Sequence, residues 1–459
     1  MRNLKNSLLL YSFAFIGLVS CKKFVDISAP ATDIGVQQAF QSDNSATSAI
    51  IGLYSNGFAG DLTGWYTELC GSSADDVRYS ISDPNYGQFV SDALLSSNPR
   101  IAGLWSETYS QILQANLAIT NLNASTALSP SVKNQLLGEA RTWRAFMYFY
   151  LVNMYGDVPL ELTTDVATNG KIARTGATAV WAQIIADLQS AVGLLQTADA
   201  TGKRARINQY AAMALLAKAY LYTQDWKDAE QTAGSVIGSG TFALGSDLTG
   251  VFVNTSSEVI WQIATTTGVS TFGGAFLAPK GVLPAYIMYD TLYRSFEPGD
   301  LRKKYWTMSD TIGGTPYYYV YKYKARSGNG NEYNVVSRLS EQYLIRAEAR
   351  AQQGNVTDAV SDVNVIRTRA GLSALSGSIS KSALLLAIEQ ERKVELFGEW
   401  GNRWFDLKRT PSVSGGAGLT RADDVLGGIK TGWNHKAVLY PVPADQLIAN
   451  PALTQNIGY

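Results

Sequence analysis

Histidine is almost missing from these 459 residues, with His435 the only one, and cysteine occurs twice, as Cys21 and Cys70. This shortage excludes histidine-rich metal centres, histidine proton relays and a disulfide framework. Charge is also sparse and evenly balanced: Lys plus Arg and Asp plus Glu each number 38, and together they make up 17% of the chain. No basic field is available to hold nucleic acid. Glycine-rich phosphate loops, H-E-x-x-H, C-x-x-C and G-x-S-x-G are all lacking, so no cofactor or metal is implied and any catalysis would rest on carboxylates or one lone base. No apolar run reaches the roughly 20 residues a helix needs to cross a bilayer.

What the chain does have is aromatic side chains: 10 Trp, 25 Tyr and 15 Phe. Tyrosine, the most frequent, joins a flat apolar face to a polar tip. The N-terminus has the pattern of an export signal, with Arg2 and Lys5 ahead of a 12-residue apolar run from Leu8 to Val19. Leu18-Val19-Ser20-Cys21 reads as a bacterial lipobox, which makes residues 1–20 a signal peptide and Cys21 the acylated first residue of the mature chain. Acyl chains add about 0.8 kcal/mol per buried methylene, so several on one residue make a lasting anchor. Cys70, in Glu68-Leu69-Cys70-Gly71, has no basic neighbour in sequence and is expected to be a small buried hydrophobe.

Beyond the signal, helical spacing dominates. The spacing predicts helices in 45–54 and 105–122, separated by a long loop from Gly71 to Pro99. Further helices are expected over 131–155, 179–195, 208–222 and 226–237. A shift of 130 residues superimposes Ala217 on Ala347, Asp228 on Asp358, Ala229 on Ala359 and Val236 on Ile366. The repeated unit is helix, polar turn, helix, with small residues at the crossing, as in tetratricopeptide repeats; generic antiparallel helix pairing is the alternative. Between the two copies glycine and aromatics rise, and alternation appears in Glu258 to Ile263 and Tyr317 to Tyr323. The expected fold is therefore mainly α, a tetratricopeptide-like scaffold over about 36–240 and 336–410 carrying an irregular, partly β insertion over about 241–335. The mature chain, 21–459, is expected to form one unit.

Few residues are placed for chemistry. Asp75 and Asp76 in the first loop, with Glu258 or Asp290, are the carboxylates that two-carboxylate glycoside hydrolysis would use. His435 reads as a solvated loop residue. The charges among aromatics in Glu391 to Arg409 and Arg338 to Glu348 read as buried ion pairs that fix packing. For binding, the sugar-stacking candidates are Tyr79 and Tyr86 in the first loop and Trp306, Tyr317 and Tyr318 in the insertion. Asp76, Arg78 and Asn85 are candidates for reading hydroxyls. Local packing of the loop is the competing role for each aromatic. Trp105, Trp143, Trp226 and Trp404 lie in helical patterns and are assigned to the core.

Several segments together resemble the SusD/RagB family of Bacteroidetes outer-membrane lipoproteins. They are the lipobox with Cys21-Lys22-Lys23-Phe24, Glu139-Ala140-Arg141 with Arg144-Ala145-Phe146, and Tyr155-Gly156-Asp157-Val158-Pro159-Leu160. To these are added Arg338 to Ala349, Glu391-Arg392 through Arg409, and an ending with Tyr440-Pro441-Val442-Pro443, Asn450-Pro451 and Gln455-Asn456-Ile457-Gly458-Tyr459. The resemblance implies a non-enzymatic protein of the outer membrane, lipid-anchored and facing the cell exterior. Such a protein captures a glycan or other nutrient and acts as a lid on a SusC-like TonB-dependent transporter. Its matching segments are scaffold, so no ligand residue carries over by motif. A surface glycosidase on a helical scaffold and a protein-binding tetratricopeptide adaptor remain the competing readings.

Overall fold

The structure, a computed structural model, describes residues 38–459 apart from 60 and 61. Cys21 and the lipobox lie outside the described residues. Helix α1 (Asp43–Ala59) is followed by α2 (Leu62–Ser73), strand β1 (Val77–Tyr79), α3 (Pro84–Ser91), α4 (Pro99–Ala124) and α5 (Pro130–Tyr155). Local chemistry accounts for the boundaries. Pro99 and Pro130 open their helices at positions where no backbone donor is needed, Asn98 Oδ1 caps the Arg100 N–H at 2.8 Å, and α5 stops at Gly156 with φ 71°. α5 is the centre of the molecule. It packs between α4 and α6 (Ala177–Leu194), and Trp143, Phe146 and Tyr150 on it meet Trp261 and Trp400 from distant parts of the chain.

The 130-residue repeat is present in register. α7 (Gln209–Tyr222) and α8 (Trp226–Gly238) correspond at a shift of 130 to α9 (Leu339–Gln352) and α10 (Val356–Arg369), α10 running one residue longer. Their turns match too: Gln224 and Gly354 both take positive φ, at 60° and 87°, and Asp225 and Asn355 each cap the N–H three residues on. α6, α7, α8, α9 and α10 pack successively, and α11 (Lys381–Glu395) closes on α9 and α10. This is the expected scaffold of stacked helix pairs.

The insertion leaves and re-enters the scaffold through an antiparallel pair, β2 (Val259–Ile263) with β6 (Asn334–Arg338), and β6 runs straight into α9. Between them lie short helical turns, β3 (Tyr286–Met288), and a hairpin of β4 (Thr307–Ile312) and β5 (Thr315–Val320).

The expected loop from Gly71 to Pro99 is corrected. α2 continues to Ser73, β1 pairs antiparallel with β3 from Tyr79↔Tyr286 to Val77↔Met288, and Asp83 caps α3 through the N–H groups of Asn85 and Tyr86. A three-residue strand has no periodicity to read, and its partner lies some 200 residues away in sequence.

The charged segments are packing, as expected. Arg144 holds Asp187 in a two-pronged contact at 2.8 and 2.7 Å, Arg392 and Arg409 share Asp406, and Arg403 holds Asp75 at 2.6 Å. The insertion is tied to the scaffold by Arg302, Lys322, Arg338 and Arg369, which interlock with Glu258, Glu391, Glu395 and Glu399; all eight side chains are buried. Trp105, Trp143 and Trp404 are buried and Trp226 half-buried. Cys70 is buried, and burial pushes its thiol up to about 12, which keeps it protonated and inert.

Candidate functional site

Pairing of β1 with β3 brings the Gly71 to Pro99 segment against the insertion, and with it two groups of tyrosines. Tyr79 on β1 faces Tyr286 on β3, and capping of α3 by Asp83 lays Tyr86 over Tyr79, with ring centroids 4.1 Å apart and planes 23° apart. Tyr286 meets both rings edge-on at 5.1 and 6.3 Å, and the Arg100 guanidinium lies 4.7 Å from the centre of the Tyr86 ring. Burial raises the Tyr286 hydroxyl far above the usual phenol range, reinforced by Glu68, and raises that of Tyr86. Both hydroxyls therefore keep their protons at neutral pH.

β3 packs against β5 of the hairpin, which carries Tyr317 and Tyr318 of the second group. Tyr318 stacks on Tyr293 at 3.6 Å with planes 11° apart, and Lys303 Nζ lies 4.2 Å from the Tyr293 ring centre. Tyr79, Tyr86, Tyr293, Tyr317 and Tyr318 are all half-buried. A recess of about 560 Å³ opens beside the base of the insertion, between Tyr54 on α1, Arg206 and the turn carrying Thr265, Thr266 and Thr267.

The residues expected from sequence divide into two sets. Tyr79, Tyr86, Tyr317 and Tyr318 are half-exposed on the paired segments, as are Arg78 on β1 and Asn85 in the first turn of α3. Trp306 and Asp76 are corrected. Trp306 is fully buried, donates its Nε1–H to the Leu248 carbonyl at 2.8 Å, and packs on Phe252 beneath Lys322 and Arg338. Asp76 is buried at the Gly398 N–H, with its carboxyl pushed up to about 7 by burial, so it faces no ligand.

The other carboxylates weighed for hydrolysis are also accounted for. Asp75 is bound by Arg403 and Lys393, Glu258 by Arg338 and Arg369, and Asp290 is exposed at a loose 3.9 Å pair with Arg294. His435 is exposed, its Nδ1 2.9 Å from Asp423. Sequence reasoning missed Tyr286, Tyr293, Arg100 and Lys303. Tyr286 lies on a three-residue strand too short to show a period, and the other three meet their partners only through tertiary packing. Among the described residues no cluster of His, Cys, Asp and Glu is arranged to hold a metal ion, and no helix is long and apolar enough to cross a membrane.

Comparison with known proteins decides the family. Residues 285–459 match the SusD family, and residues 23–221 match a second SusD-like family described as starch-binding associating with outer membrane. The chain belongs to the SusD/RagB family. It is similar to a SusD-like protein of Formosa agariphila, 23% identical over an alignment of 534 positions covering 99% of each chain. Among solved structures it is similar to a SusD superfamily protein of Bacteroides vulgatus, at TM-score 0.78 and 21% identity over 92% of this chain and 100% of that one. A laminarin-binding SusD-like protein superposes with TM-score 0.77 at 23% identity, over 92% and 100% of the two chains. These likenesses establish a SusD fold. The motifs that carried the resemblance are structural in this chain. Arg144, Arg338, Arg403 and Asp406 hold helices together, and Asn456 near the end donates to the Tyr155 and Tyr440 carbonyls at 2.9 and 2.7 Å.

Proposed function

We propose that this protein is a cell-surface lipoprotein, one unit over residues 21–459. It captures an oligosaccharide on the tyrosine face and delivers it, uncleaved, to a SusC-like TonB-dependent transporter. The observation that carries the reading is that β3 pairs with β1, which bears Tyr79 of one stack, and packs against β5, which bears Tyr318 of the other. Flat rings take the C–H faces of sugars while phenol hydroxyls and Arg78 or Asn85 reach their hydroxyls, a shallow and wet mode suited to capture followed by release. The starch-binding description of the matched family and the laminarin ligand of a structural neighbour support the same ligand class.

Calorimetry against a glycan panel tests the site. Tyr86→Ala and Tyr318→Ala should each weaken binding by about 1 kcal/mol, roughly fivefold, with the melting temperature nearly unchanged because both rings are half-exposed. Unaltered affinity for a glycan that binds would remove the two rings from the site. The same preparations should release no reducing sugar; release abolished by replacing one carboxylate would revive the glycosidase reading.

The anchor is tested separately. Cys21→Ala should leave unprocessed or soluble protein that takes up no labelled fatty acid. A variant still labelled and still fractionating with outer membrane would remove Cys21 as the lipid site. Deleting the protein should abolish uptake through the transporter when glycan is scarce, and uptake unaffected at every concentration would contradict delivery.

A further inference from the structure

Charge around the tyrosine face is distributed unlike charge in the scaffold. Residues 277–326 hold eight basic and four acidic residues, in a chain with 38 of each. Two of the eight, Arg302 and Lys322, are buried against Asp300, Glu391, Glu395 and Glu399. Arg294 has Asp290 at 3.9 Å. Lys280, Lys303, Lys304, Lys324 and Arg326 are different: among the described residues none has a carboxylate oxygen within 4.0 Å, whereas Arg144, Arg346, Arg403 and Arg409 in the scaffold are all closely paired. Asp310 lies near Lys280 and Glu332 near Lys324, which leaves Lys303, Lys304 and Arg326 as the cations without a facing acid. Glu297 is held by Arg367 at 2.6 Å, and Asp310 accepts the N–H groups of Gly281 and Thr311.

Three of these five cations are placed by aromatic rings. Lys303 lies on Tyr293 of the second stack, Lys304 Nζ is 5.0 Å from the Tyr305 ring centre, and Lys324 Nζ is 3.6 Å from that of Tyr321 and donates to the Tyr305 carbonyl at 2.7 Å. Arg100 caps the first stack in the same manner. A ring face attracts and orients a cation but leaves its full charge in place. The second stack therefore carries at its edge a cation, Lys303, with no carboxylate paired to it, whereas at the first stack Glu68 lies near Tyr86 and Tyr286 beside Arg100. A neutral glycan would use the rings and leave that charge unmatched, at a cost in specificity that a bound anion removes.

We infer that the glycan held on this face is anionic, carrying uronate carboxylates or sulfate esters along its chain. The inference rests on the glycan-capture reading above and names its ligand class.

Binding of the full mature chain is measured by calorimetry and gel retardation against polygalacturonate, a carrageenan and laminarin, at low and high salt. The expected result is binding of one of the two polyanions, polygalacturonate if the recognised group is a uronate and carrageenan if it is a sulfate, weakening as salt rises. The triple variant Lys303→Gln, Lys304→Gln, Arg326→Gln should bind it about tenfold more weakly, the size expected of three part-exposed charge contacts. Tyr79→Ala with Tyr318→Ala, checked for native circular dichroism, should weaken it as well. Polyanion binding that falls in the charge variant but not in the tyrosine variant is adsorption, and overturns the inference. Tight, salt-insensitive binding of laminarin, unmoved in the charge variant but lost in the tyrosine variant, also overturns it while leaving glycan capture intact. If no glycan of either kind binds, both readings fall together.

Discussion

Glu395→Ala should destabilise the protein by about 3–5 kcal/mol, the loss expected when one member of a buried ionic cluster is removed and its partners are left uncompensated. The Glu395 carboxylate receives Arg302 at 3.0 Å, Arg338 at 2.5 Å and Arg369, and its backbone carbonyl accepts from Lys322 at 2.8 Å and Arg338 at 2.7 Å. Arg302 and Lys322 belong to the insertion, Arg338 ends β6, Arg369 ends α10 and Glu395 ends α11. Loss of the carboxylate therefore loosens the tyrosine-bearing insertion from the scaffold. Equilibrium denaturation followed by circular dichroism reads the effect, with Asp290→Ala as an exposed control whose midpoint should not move. A Glu395→Ala midpoint matching wild type would show that the cluster does not hold the insertion.

The same carboxylate sets a pH dependence. Burial alone would raise Glu395, but Arg369, Arg338 and Arg302 hold it well below its ordinary 4.5. Its folded-state pKa lies below the unfolded one, so its contribution to stability is complete above about pH 4.5 and is lost as the pH falls through the folded value. Glu395→Gln should flatten the acid limb of the stability curve relative to wild type.

Trp306→Ala carries the second large effect, an expected loss of about 3–5 kcal/mol for deleting a fully buried tryptophan. The substitution removes packing on Phe252, frees the Leu248 carbonyl of its Nε1–H partner, and takes away the ring beneath Lys322, Arg338 and Arg369. Glycan affinity of the fraction that stays folded should be preserved, because no part of the ring reaches solvent. Tyr86→Ala should show the opposite pair of outcomes, weakened affinity and an intact fold. A Trp306→Ala protein of wild-type stability that no longer binds glycan would return Trp306 to the ligand face.

Trp306 also marks where sequence reading ends. It sits in a polar, aromatic stretch, Leu301-Arg302-Lys303-Lys304-Tyr305-Trp306, and nothing local distinguishes it from Tyr317 or Tyr318. Burial is decided by Leu248 and Phe252, more than fifty residues earlier. Asp76 is a similar case, since its partner is the Gly398 N–H, far along the chain. Among residues of one type, contact with distant segments separates core from surface, and no window of local sequence contains that information.

By itself the sequence determined the helical scaffold. Each helix pair buries a face spaced at the helical period and stops at proline, glycine or a capping side chain, all of which are local signals. The 130-residue repeat and its short polar turn were legible for the same reason, whereas the positive φ of the turn at Gln224 and Gly354 came only from the structure, since glutamine carries no signal for it. Sequence also located the Gly71 to Pro99 segment, the insertion and four of their tyrosines. Only the tertiary structure decided that these segments pair through β1 and β3, that Tyr86 stacks on Tyr79 and Tyr318 on Tyr293, and that Lys303 and Arg100 cap the stacks. The physical reason is strand length. Three-residue strands and single ring contacts gain their free energy from partners some 200 residues away, so their placement is fixed only once the scaffold has folded and brought those partners together.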